Sequence, residues 1–473
     1  MDAQSAVSRA EAAGAEEARD VVQGTRDGFT SKLGVIAATL GSAVGLGNIW
    51  KFPSLTGSNG GAAFIIIYLI CTVLVGLPVM ISEIMLGRKM KANAVTTLRK
   101  VAPKGQPWWL IGVSGVLAAF LIMAFYTEVA GWVFAYIFKA AFGAILSTDP
   151  EVTSQAFVAL ISDPMQSLFW QWAVLVFISV IIIAGVSKGI EKTVKRSLPL
   201  LFVLLVIVGV RSLTLPGASQ GLAFLFTPDF SAVTGATLLT AMGLAFFKLS
   251  VGMGTMITYG SYARDDQDIP SSTTRVMLAD LTVSILAGIA IFPAVFAFGF
   301  EPDAGPSLLF ITIPAVFASM PFGQFFIVIF FILAASAATG AMLSLLEVPV
   351  AYLNEQMHWS RLKATLVTSI VLALIGSTAA LSSSVLADVT VLGMNFFDLY
   401  DSVTSKILLP LGGLCISIFV GWFWGFDEIK QALSNEGALQ NQTIIRVFYG
   451  IVKFVTPVLL AVVMLNGLGI ITF

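Results

Sequence analysis

Glycines interrupt an apolar segment that is long enough to cross a membrane. Residues 41–48 read GSAVGLGN, and a related pattern, SVGMG, returns at 250–254. Glycine adopts backbone conformations that break a helix, but inside a bilayer a break is tolerated only where the freed amides and carbonyls meet protein, ion or solute. Two broken helices in corresponding halves of a membrane chain are typical of secondary transporters. The sequence therefore predicts a solute site at mid-membrane, between two broken spans.

The composition is that of a polytopic membrane protein. Hydrophobic residues make up 57% of the chain and charged residues 11%, with a mean hydropathy of +0.92, whereas soluble proteins have about 25% charged residues. Residues 1–25 are polar and lack an apolar core, which predicts a disordered cytoplasmic tail before one transmembrane domain at 26–473. Apolar runs of about twenty residues predict eleven spans: 33–57, 61–87, 108–142, 168–186, 197–214, 234–260, 275–299, 321–353, 362–380, 400–424 and 446–472.

Basic residues predict the orientation of these spans. If the N-terminus is cytoplasmic, the inner loops hold the basic clusters at 88–104 and 188–196, whereas the outer loops hold only Lys139 and Arg211. Loops rich in Lys and Arg stay in the cytoplasm. We therefore expect a multi-pass protein of the cell membrane with its N-terminus inside and its C-terminus outside.

Several function classes are disfavoured by what the sequence lacks. The lone histidine, His358, and the net charge of −1 give no support to histidine-based catalysis or nucleic-acid binding. No GxxxxGK followed by Ser or Thr occurs, so an ATP-driven pump is not expected. Cys71 and Cys415 fall inside predicted spans, where a buried apolar role suits them better than a disulfide or a metal site. We expect no cofactor and no enzyme, since no nucleophile, base and oxyanion donor meet at the midplane.

Four motifs carry a resemblance to a known family: GSAVGLGNIWKFP at 41–53, SNGGAAF at 58–64, FFKLS at 246–250 and ITYGSY at 257–262. On these motifs, the sequence from Arg26 onward resembles the neurotransmitter:sodium symporter family in its bacterial, eleven-span form. The resemblance implies an all-α fold with an inverted repeat of five spans plus five, about 33–214 and about 234–424, in which spans 1 and 6 are broken. An eleventh span follows at about 446–472.

The same resemblance implies a substrate site between the two breaks. The substrate carboxylate would meet the bare amides near Leu46 and Gly47, where a helix N-terminus carries about half a positive charge. It would also meet the hydroxyl of Tyr126. The remaining pocket positions are Ala43, Phe247, Lys248, Ser250, Met253 and Leu345. Because this lining is largely apolar, it favours a neutral aliphatic or aromatic amino acid over a charged one.

Gates are expected on both sides of that site. Outside, the family pairs an arginine with an aspartate, and here the pair is Lys51 and Asp401, next to Tyr126 and Phe247. Lysine keeps the charge but lacks the bidentate fork of a guanidinium, so we expect a weaker outer gate. The inner gate is expected from four residues: Arg26, Glu355, Tyr262 and Ser261.

The first sodium site of the family is altered in this sequence. Its positions correspond to Ala43, Asn48, Lys248 and Asp280, so a lysine stands where the family has a hydroxyl ligand. An ammonium and a sodium ion cannot share one site, and a lysine at mid-membrane is costly unless it is paired. Our hypothesis is that the Lys248 ammonium is a tethered replacement for this sodium, bound to Asp280 and reaching the substrate carboxylate. The alternative is a lysine turned toward a water-filled passage.

The second sodium site is altered as well. Its three carbonyl positions and two hydroxyl positions correspond, in order, to Gly41, Val44, Ala337, Gly340 and Ala341. The last two carry no side-chain oxygen, and a hard cation needs several oxygen ligands, so any sodium ion bound here would be held weakly. Thr339 lies one residue away, and a one-residue bulge in span 8 would bring its hydroxyl into the site.

These departures leave the coupling ion open between sodium and a proton. A lysine buried beside a carboxylate can release its proton when its surroundings change. We expect a small neutral amino acid to be imported across the bilayer by alternating access. The alternatives are a transporter of an anionic solute attracted by Lys248 and Lys406, and a membrane protein that binds amino acids without transporting them.

Chloride dependence and a nucleic-acid partner are not expected. The chloride positions of the family correspond to Tyr68, Leu244, Lys248 and Ser284, and Leu244 offers no polar group to an anion. The sequence leaves the oligomeric state open, with a homodimer as one option.

Overall fold

The computed structural model describes residues 27–299 and 308–471, and within these ranges the chain is largely helical and forms no strand. The predicted tail at 1–25, together with Arg26, lies outside the described residues. Nine helices of the described part are long and apolar enough to cross a membrane: Ala62–Met90, Trp109–Ala141, Pro164–Ile183, Val186–Leu213, Ile269–Ala297, Gly323–Gln356, Arg361–Ala380, Phe396–Trp424 and Gln442–Gly467. These are spans 2 to 5 and 7 to 11, and the predicted all-α membrane fold is confirmed.

Spans 1 and 6 are each divided into two helices. Span 1 consists of Lys32–Ala43 and Gly47–Ser58, which are bent by 49° and together make a tenth crossing. Span 6 consists of Gly235–Lys248 and Thr255–Ser261, separated by the stretch 249–254. Each half of span 6 is too short to cross a bilayer alone, so the predicted count of eleven depends on the two halves acting as one. The predicted breaks are present in both spans.

The break in span 1 is held by short-range contacts of Asn48. The first helix ends where Val44 adopts an extended conformation, with φ −86° and ψ 95°. The Asn48 side chain accepts a hydrogen bond from the Gly45 amide at 3.2 Å, and the Asn48 amide donates to the Gly45 carbonyl at 3.1 Å. Asparagine side chains compete with a helix for backbone groups in this way, so this residue stabilises the open backbone.

The break in span 6 contains three residues with positive φ: Ser250 at 53°, Gly252 at 79° and Gly254 at 72°. Glycine adopts this conformation readily, whereas serine does so at a cost. A side chain would not fit at Gly252, because a Cβ there would lie 2.4 Å from the Leu409 carbonyl oxygen. The freed Gly252 amide donates to Glu83 Oε1 at 2.7 Å. A carboxyl group of span 2 thus satisfies a backbone group that the break leaves open.

A capping residue moves the start of span 4 about one turn ahead of the predicted position 168. Span 4 begins at Pro164 because Asp163 caps it, accepting hydrogen bonds from the Met165 and Gln166 amides.

Spans 3 and 8 pack against each other, and span 8 also packs against span 1 beside its break. Short helices connect the spans: Ala94–Val101, Pro150–Ile161, Ala218–Phe226, Ile313–Ala318 and Phe426–Leu433.

Candidate functional site

A small cavity lies between the breaks of spans 1 and 6. Its volume is about 20 Å³, which leaves room for about one water molecule. The lining consists of Ser42, Ala43, Gly45, Gly47, Ile122, Tyr126, Phe247, Lys248, Ser250, Met253, Ala341 and Leu345. Every predicted substrate residue except Leu46 is in this lining, so the fold brings the predicted set together.

Leu46 takes part through its backbone. Its amide donates a hydrogen bond of 2.9 Å to the hydroxyl oxygen of Tyr126, and both residues are buried. A hydroxyl has one hydrogen and two lone pairs, so this contact does not use the hydrogen of Tyr126. The hydroxyl can therefore accept from the broken span and donate to a ligand at the same time.

Polar contacts between spans 1, 6 and 8 fix one end of the cavity. The Ser250 hydroxyl donates to the Ser42 carbonyl at 3.0 Å, and the Ser42 hydroxyl donates to Ser344 Oγ at 2.7 Å. Among the lining residues Lys248 alone carries a charged group. The rest of the wall is made by apolar side chains and small residues.

Lys248 is buried beside this cavity, with 1% of its surface exposed. Its Nζ lies 3.0 Å from Asp280 Oδ2, and it donates to the hydroxyl of Tyr68 at 3.1 Å and to that of Ser284. The rings of Phe52 and Tyr68 lie 4.9 and 4.8 Å from Nζ, measured to their centroids. In this conformation the side chain is not turned toward a water-filled passage.

Asn48 and Asp280 complete a set that we name the lysine cluster: Lys248, Asp280, Asn48, Tyr68 and Ser284. Asn48 Nδ2 donates to Asp280 Oδ1 at 2.7 Å and to Ser284 Oγ at 3.1 Å, and the Tyr68 hydroxyl donates to Asp280 Oδ2 at 3.3 Å. A buried ion pair persists only when its other hydrogen-bonding groups are also satisfied, and this cluster meets that condition. Ala43, the remaining position predicted for the first ion site, lines the cavity.

The number of hydrogens on the ammonium limits what it can bind. An ammonium has three hydrogens, and Asp280, Tyr68 and Ser284 accept all three. None is left for a substrate in this conformation. Contact between Lys248 and a substrate carboxylate stays a prediction. It requires the ammonium to break its contact with Asp280, Tyr68 or Ser284.

The residues of the outer gate lie together. Lys51 Nζ is 3.1 Å from Asp401 Oδ1 and 4.4 Å from the centroid of the Phe247 ring. The same carboxylate oxygen accepts a hydrogen bond from Ser405 Oγ at 2.9 Å. The two charged side chains keep 23% and 34% of their surface exposed, and such a solvent-screened pair contributes about 1 kcal/mol or less.

A buried cluster joins Tyr262, a predicted inner-gate residue, to Glu347 and Arg361, which were not predicted as site residues. Glu347 accepts two hydrogen bonds from the Arg361 guanidinium, at 3.0 and 2.6 Å, and one from the Tyr262 hydroxyl at 2.6 Å. Arg361 Nε also donates to the Ile182 carbonyl at 2.6 Å. This bidentate arrangement joins spans 4, 6, 8 and 9. An acid within the apolar run of span 8 was the available signal, since such residues are functional by default in membrane spans.

The other predicted inner-gate residues are described only in part. Arg26 lies outside the described residues, so its pairing with Glu355 stays a prediction. Glu355 Oε2 accepts hydrogen bonds from the backbone and side-chain nitrogens of Asn93, at 2.7 and 2.9 Å. The Ser261 hydroxyl donates to the Thr258 carbonyl within its own helix, at 2.5 Å.

Close helix packing occupies the second predicted ion site. A Cβ on Gly340 would lie 2.4 Å from the Gly41 carbonyl oxygen, so the backbones of spans 1 and 8 are in contact. Span 8 is one uninterrupted α-helix from Gly323 to Gln356, and the bulge considered for Thr339 is wrong. The Thr339 hydroxyl donates to the Ala335 carbonyl of its own helix at 2.7 Å. Val44 and Ala337 are buried nearby, but neither hydroxyl position has an oxygen to offer.

Some lining residues were missed by sequence reasoning. Ile122 lies one helical turn before Tyr126, and this spacing would have placed it on the same face. Tyr68 and Ser284 were assigned only to a chloride position, whereas both bind the lysine ammonium. Ser42 and Gly45 lie within the span 1 motif without having been singled out.

Comparison with known proteins agrees with this architecture. A model described as "Sodium:neurotransmitter symporter family" matches residues 26–149 and 161–472. The uncharacterized sodium-dependent transporter YhdH of Bacillus subtilis is 38% identical over 445 residues, which cover 94% of this chain and 98% of the relative. An uncharacterized sodium-dependent transporter of Haemophilus influenzae is 34% identical over 453 residues, covering 94% of this chain and 98% of that protein.

A solved structure extends the likeness to the fold. The crystal structure of MhsT in complex with L-phenylalanine superposes with a TM-score of 0.87 and 42% sequence identity, covering 93% of this chain and 100% of that one. The family match, the relatives and the shared fold all span nearly the whole chain. The protein therefore belongs to the sodium:neurotransmitter symporter family.

Proposed function

We propose that this multi-pass membrane transporter imports a small neutral amino acid by alternating access. The observation that carries the proposal is the contact between the Leu46 amide and the Tyr126 hydroxyl beside the cavity. It leaves a hydrogen donor next to an unwound helix end, a combination that suits a carboxylate. The complex of MhsT with L-phenylalanine supports an amino acid as the class of substrate.

The charges around the cavity support a neutral side chain. Lys248 is the one charged lining residue, and its three hydrogens are bound to Asp280, Tyr68 and Ser284. An anionic side chain would have to break one of these contacts, which makes the anionic alternative the weaker one. The volume of about 20 Å³ means that the walls must move for any amino acid, and a small one requires the least movement.

The altered ion sites support unusual coupling. The family takes its name from sodium, yet Lys248 corresponds to a hydroxyl ligand of the first ion site, and Gly340 and Ala341 correspond to the two hydroxyl ligands of the second. The carbonyls of Gly41, Val44 and Ala337 alone are too few for a hard cation. We propose that Lys248 replaces the first sodium and that coupling depends less on sodium than in the family, or depends on a proton.

The organisation of the chain follows the family. We propose that residues 26–473 act as one transmembrane domain with the two inverted repeats, and that the N-terminus is cytoplasmic in the cell membrane. The basic clusters of the inner loops support this orientation.

A competition panel tests the proposed substrate class. The purified protein is reconstituted into lipid vesicles, and uptake of a labelled neutral amino acid is measured against unlabelled glycine, alanine, leucine, phenylalanine, glutamate and taurine. We expect the neutral amino acids to compete and glutamate and taurine not to, since no free cation lines the described cavity. Stronger competition by glutamate would favour the anionic alternative. Binding without accumulation under any ion gradient would favour a non-transporting protein.

A further inference from the structure

Span 3 carries a buried acid that the proposed transport site does not use. Glu128 has 1% of its surface exposed. Its Oε2 has no hydrogen-bond partner, and within residues 27–299 and 308–471 no ion pair reaches the carboxyl group. The structure therefore contains an isolated carboxyl group at the depth of the substrate site.

Other buried acids in the spans are held by partners. Asp280 is bound by the lysine cluster, and Glu347 accepts two hydrogen bonds from Arg361. Glu83 accepts one at Oε1 from the Gly252 amide at 2.7 Å, while its Oε2 has no hydrogen-bond partner in the described part of the chain. Asp280 and Glu347 can stay ionised because nearby donors replace water, and Glu83 has one donor. Among residues 27–299 and 308–471 no hydrogen-bond donor or cation is bound to Glu128, which distinguishes it from these three acids.

An isolated carboxylate is unstable in a medium of low dielectric. Taking an ionised carboxyl group out of water without a partner costs more than a protein normally sustains, and the group takes up a proton instead. Glu128 is therefore a neutral carboxylic acid in this closed conformation. It can ionise only when water or a donor reaches it.

The position of Glu128 suggests how water would arrive. Successive helix residues are about 100° apart, so Glu128 lies on the face of span 3 opposite Tyr126. Trp132 and Tyr136 follow at i+4 and i+8, and their Nε1 and hydroxyl groups also lack hydrogen-bond partners among the residues that the structure describes. Three unpartnered polar groups on one helix face form a line that water molecules can bridge when the surrounding helices separate.

Aromatic side chains of two connecting segments cover this line. Trp132 contacts Phe157 and Phe310, with ring centroids 5.3 and 5.7 Å apart, and Tyr136 lies 5.1 Å from Phe310. Phe157 belongs to the short helix between spans 3 and 4, and Phe310 to the segment between spans 7 and 8. Movement of these connecting segments would hydrate the line, and their closure would dry it.

We infer that Glu128 is the proton-carrying group that couples amino-acid import to a proton gradient. Its carboxylate forms an O–H bond with a proton from the outer solution while the outer side is open. The neutral acid persists through the substrate-loaded closed state, and the O–H bond breaks when the proton leaves to the cytoplasm, with no change in oxidation state. Net proton import then requires the empty transporter to return with the carboxylate ionised and still reached by water. This inference rests on the proposed import of an amino acid.

Titratable groups on the elements packed against span 3 do not bond to Glu128 in the described part of the chain. Span 4 has none. The others are Tyr126, Tyr136 and Lys139 on span 3, Arg99 and Lys100 on the helix before it, Glu347, Tyr352 and Glu355 on span 8, Arg361 and Lys363 on span 9, and Asp398, Tyr400, Asp401, Lys406 and Cys415 on span 10. Asp401 is paired with Lys51, and Tyr400 is bonded to Thr378 at 2.7 Å.

Vesicle uptake without sodium tests the inference. Accumulation of a labelled neutral amino acid is measured with the interior more alkaline by one pH unit, and exchange is measured without a gradient. One proton per amino acid sustains about tenfold accumulation at a difference of about one pH unit. We expect wild type to approach this value, and Glu128→Gln to lose the accumulation while keeping the exchange. The exposed acid Glu151 on the loop helix provides the control, Glu151→Gln, which should keep both.

Each outcome decides the matter. If Glu128→Gln accumulates the amino acid to the same level as the wild type, the inference is overturned. If that variant neither binds nor exchanges, Glu128→Asp decides: uptake that is still driven by the pH gradient, with a shifted pH profile, supports the inference, and loss of the gradient response overturns it. A wild type that exchanges amino acids but ignores the pH gradient overturns the inference alone. A wild type that neither binds nor exchanges any amino acid overturns the proposed function itself.

Discussion

At the scale of single residues, the proposed replacement of the first sodium ion by Lys248 matters because a lysine side chain cannot leave its position. A sodium ion at that position brings a charge from one side of the membrane and releases it on the other. The Lys248 ammonium supplies the same charge from a fixed stem, held by Asp280, Tyr68 and Ser284. It can stabilise the closed site, but as a permanently attached cation it draws no energy from a sodium gradient.

Tyr126 is the residue whose single hydroxyl is expected to contribute most to substrate binding. Tyr126→Phe removes the acceptor of the buried Leu46 amide and the donor proposed for the carboxylate. An unsatisfied buried group costs about 1–3 kcal/mol, which corresponds to binding weakened by roughly tenfold to a hundredfold. Equilibrium binding of labelled amino acid to the purified protein measures this. Tyr352→Phe, at a half-buried tyrosine of span 8 outside the cavity, should bind as wild type does, and an unchanged affinity of Tyr126→Phe would refute the assigned role.

At the scale of elements, the breaks and the straight helix have opposite consequences for ions. Spans 1 and 6 open their backbones toward the cavity, whereas span 8 stays helical and presses Gly340 against the Gly41 carbonyl. Small residues permit close approach of membrane helices. We propose that this helix contact replaces an ion, because glycine and alanine correspond to the two hydroxyl positions of the second ion site.

Gly340→Ser tests whether the contact between spans 1 and 8 has replaced the second ion site. The added Cβ would lie 2.4 Å from the Gly41 oxygen, and overpacking of this kind destabilises a protein by about 1–3 kcal/mol. We expect a lower midpoint of thermal unfolding in detergent and no recovery upon adding sodium. Gly243→Ala is the control, since no atom of the described residues lies within 4 Å of a Cβ built there. A midpoint that rises with sodium concentration in Gly340→Ser would mean that the site is still available to the ion.

Local patterns predicted the breaks, and long-range packing did not follow from them. The glycines at 41–47 and 250–254 signalled both breaks because their effect on the backbone is local. The proximity of Lys248 and Asp280 followed from their matching positions in one family site. The contact of Arg361 with Glu347 depends on how spans 8 and 9 meet, and the isolation of Glu128 depends on every helix around span 3. Neither property is carried by a motif.

At the scale of the whole molecule, the contacts of the outer and inner gate residues differ in strength. The outer contact joins Lys51 to Asp401, both partly exposed. The inner one joins Arg361 and Tyr262 to the buried Glu347 through three hydrogen bonds. Exposed single pairs contribute little, whereas buried bidentate pairs are strong when fully bonded. We therefore expect the outer side to open more readily than the inner side.

The ion dependence of uptake by Lys248→Thr is the most direct test of the central claim, that a lysine replaces the first sodium. The variant restores a hydroxyl beside Asp280 and Asn48 and removes the competing ammonium. Uptake into vesicles is measured with and without sodium for wild type, Lys248→Thr and the control Lys139→Thr at the end of span 3. The account predicts sodium-independent uptake by wild type and the control, and uptake that requires sodium in Lys248→Thr. Identical ion dependence in wild type and Lys248→Thr would contradict it.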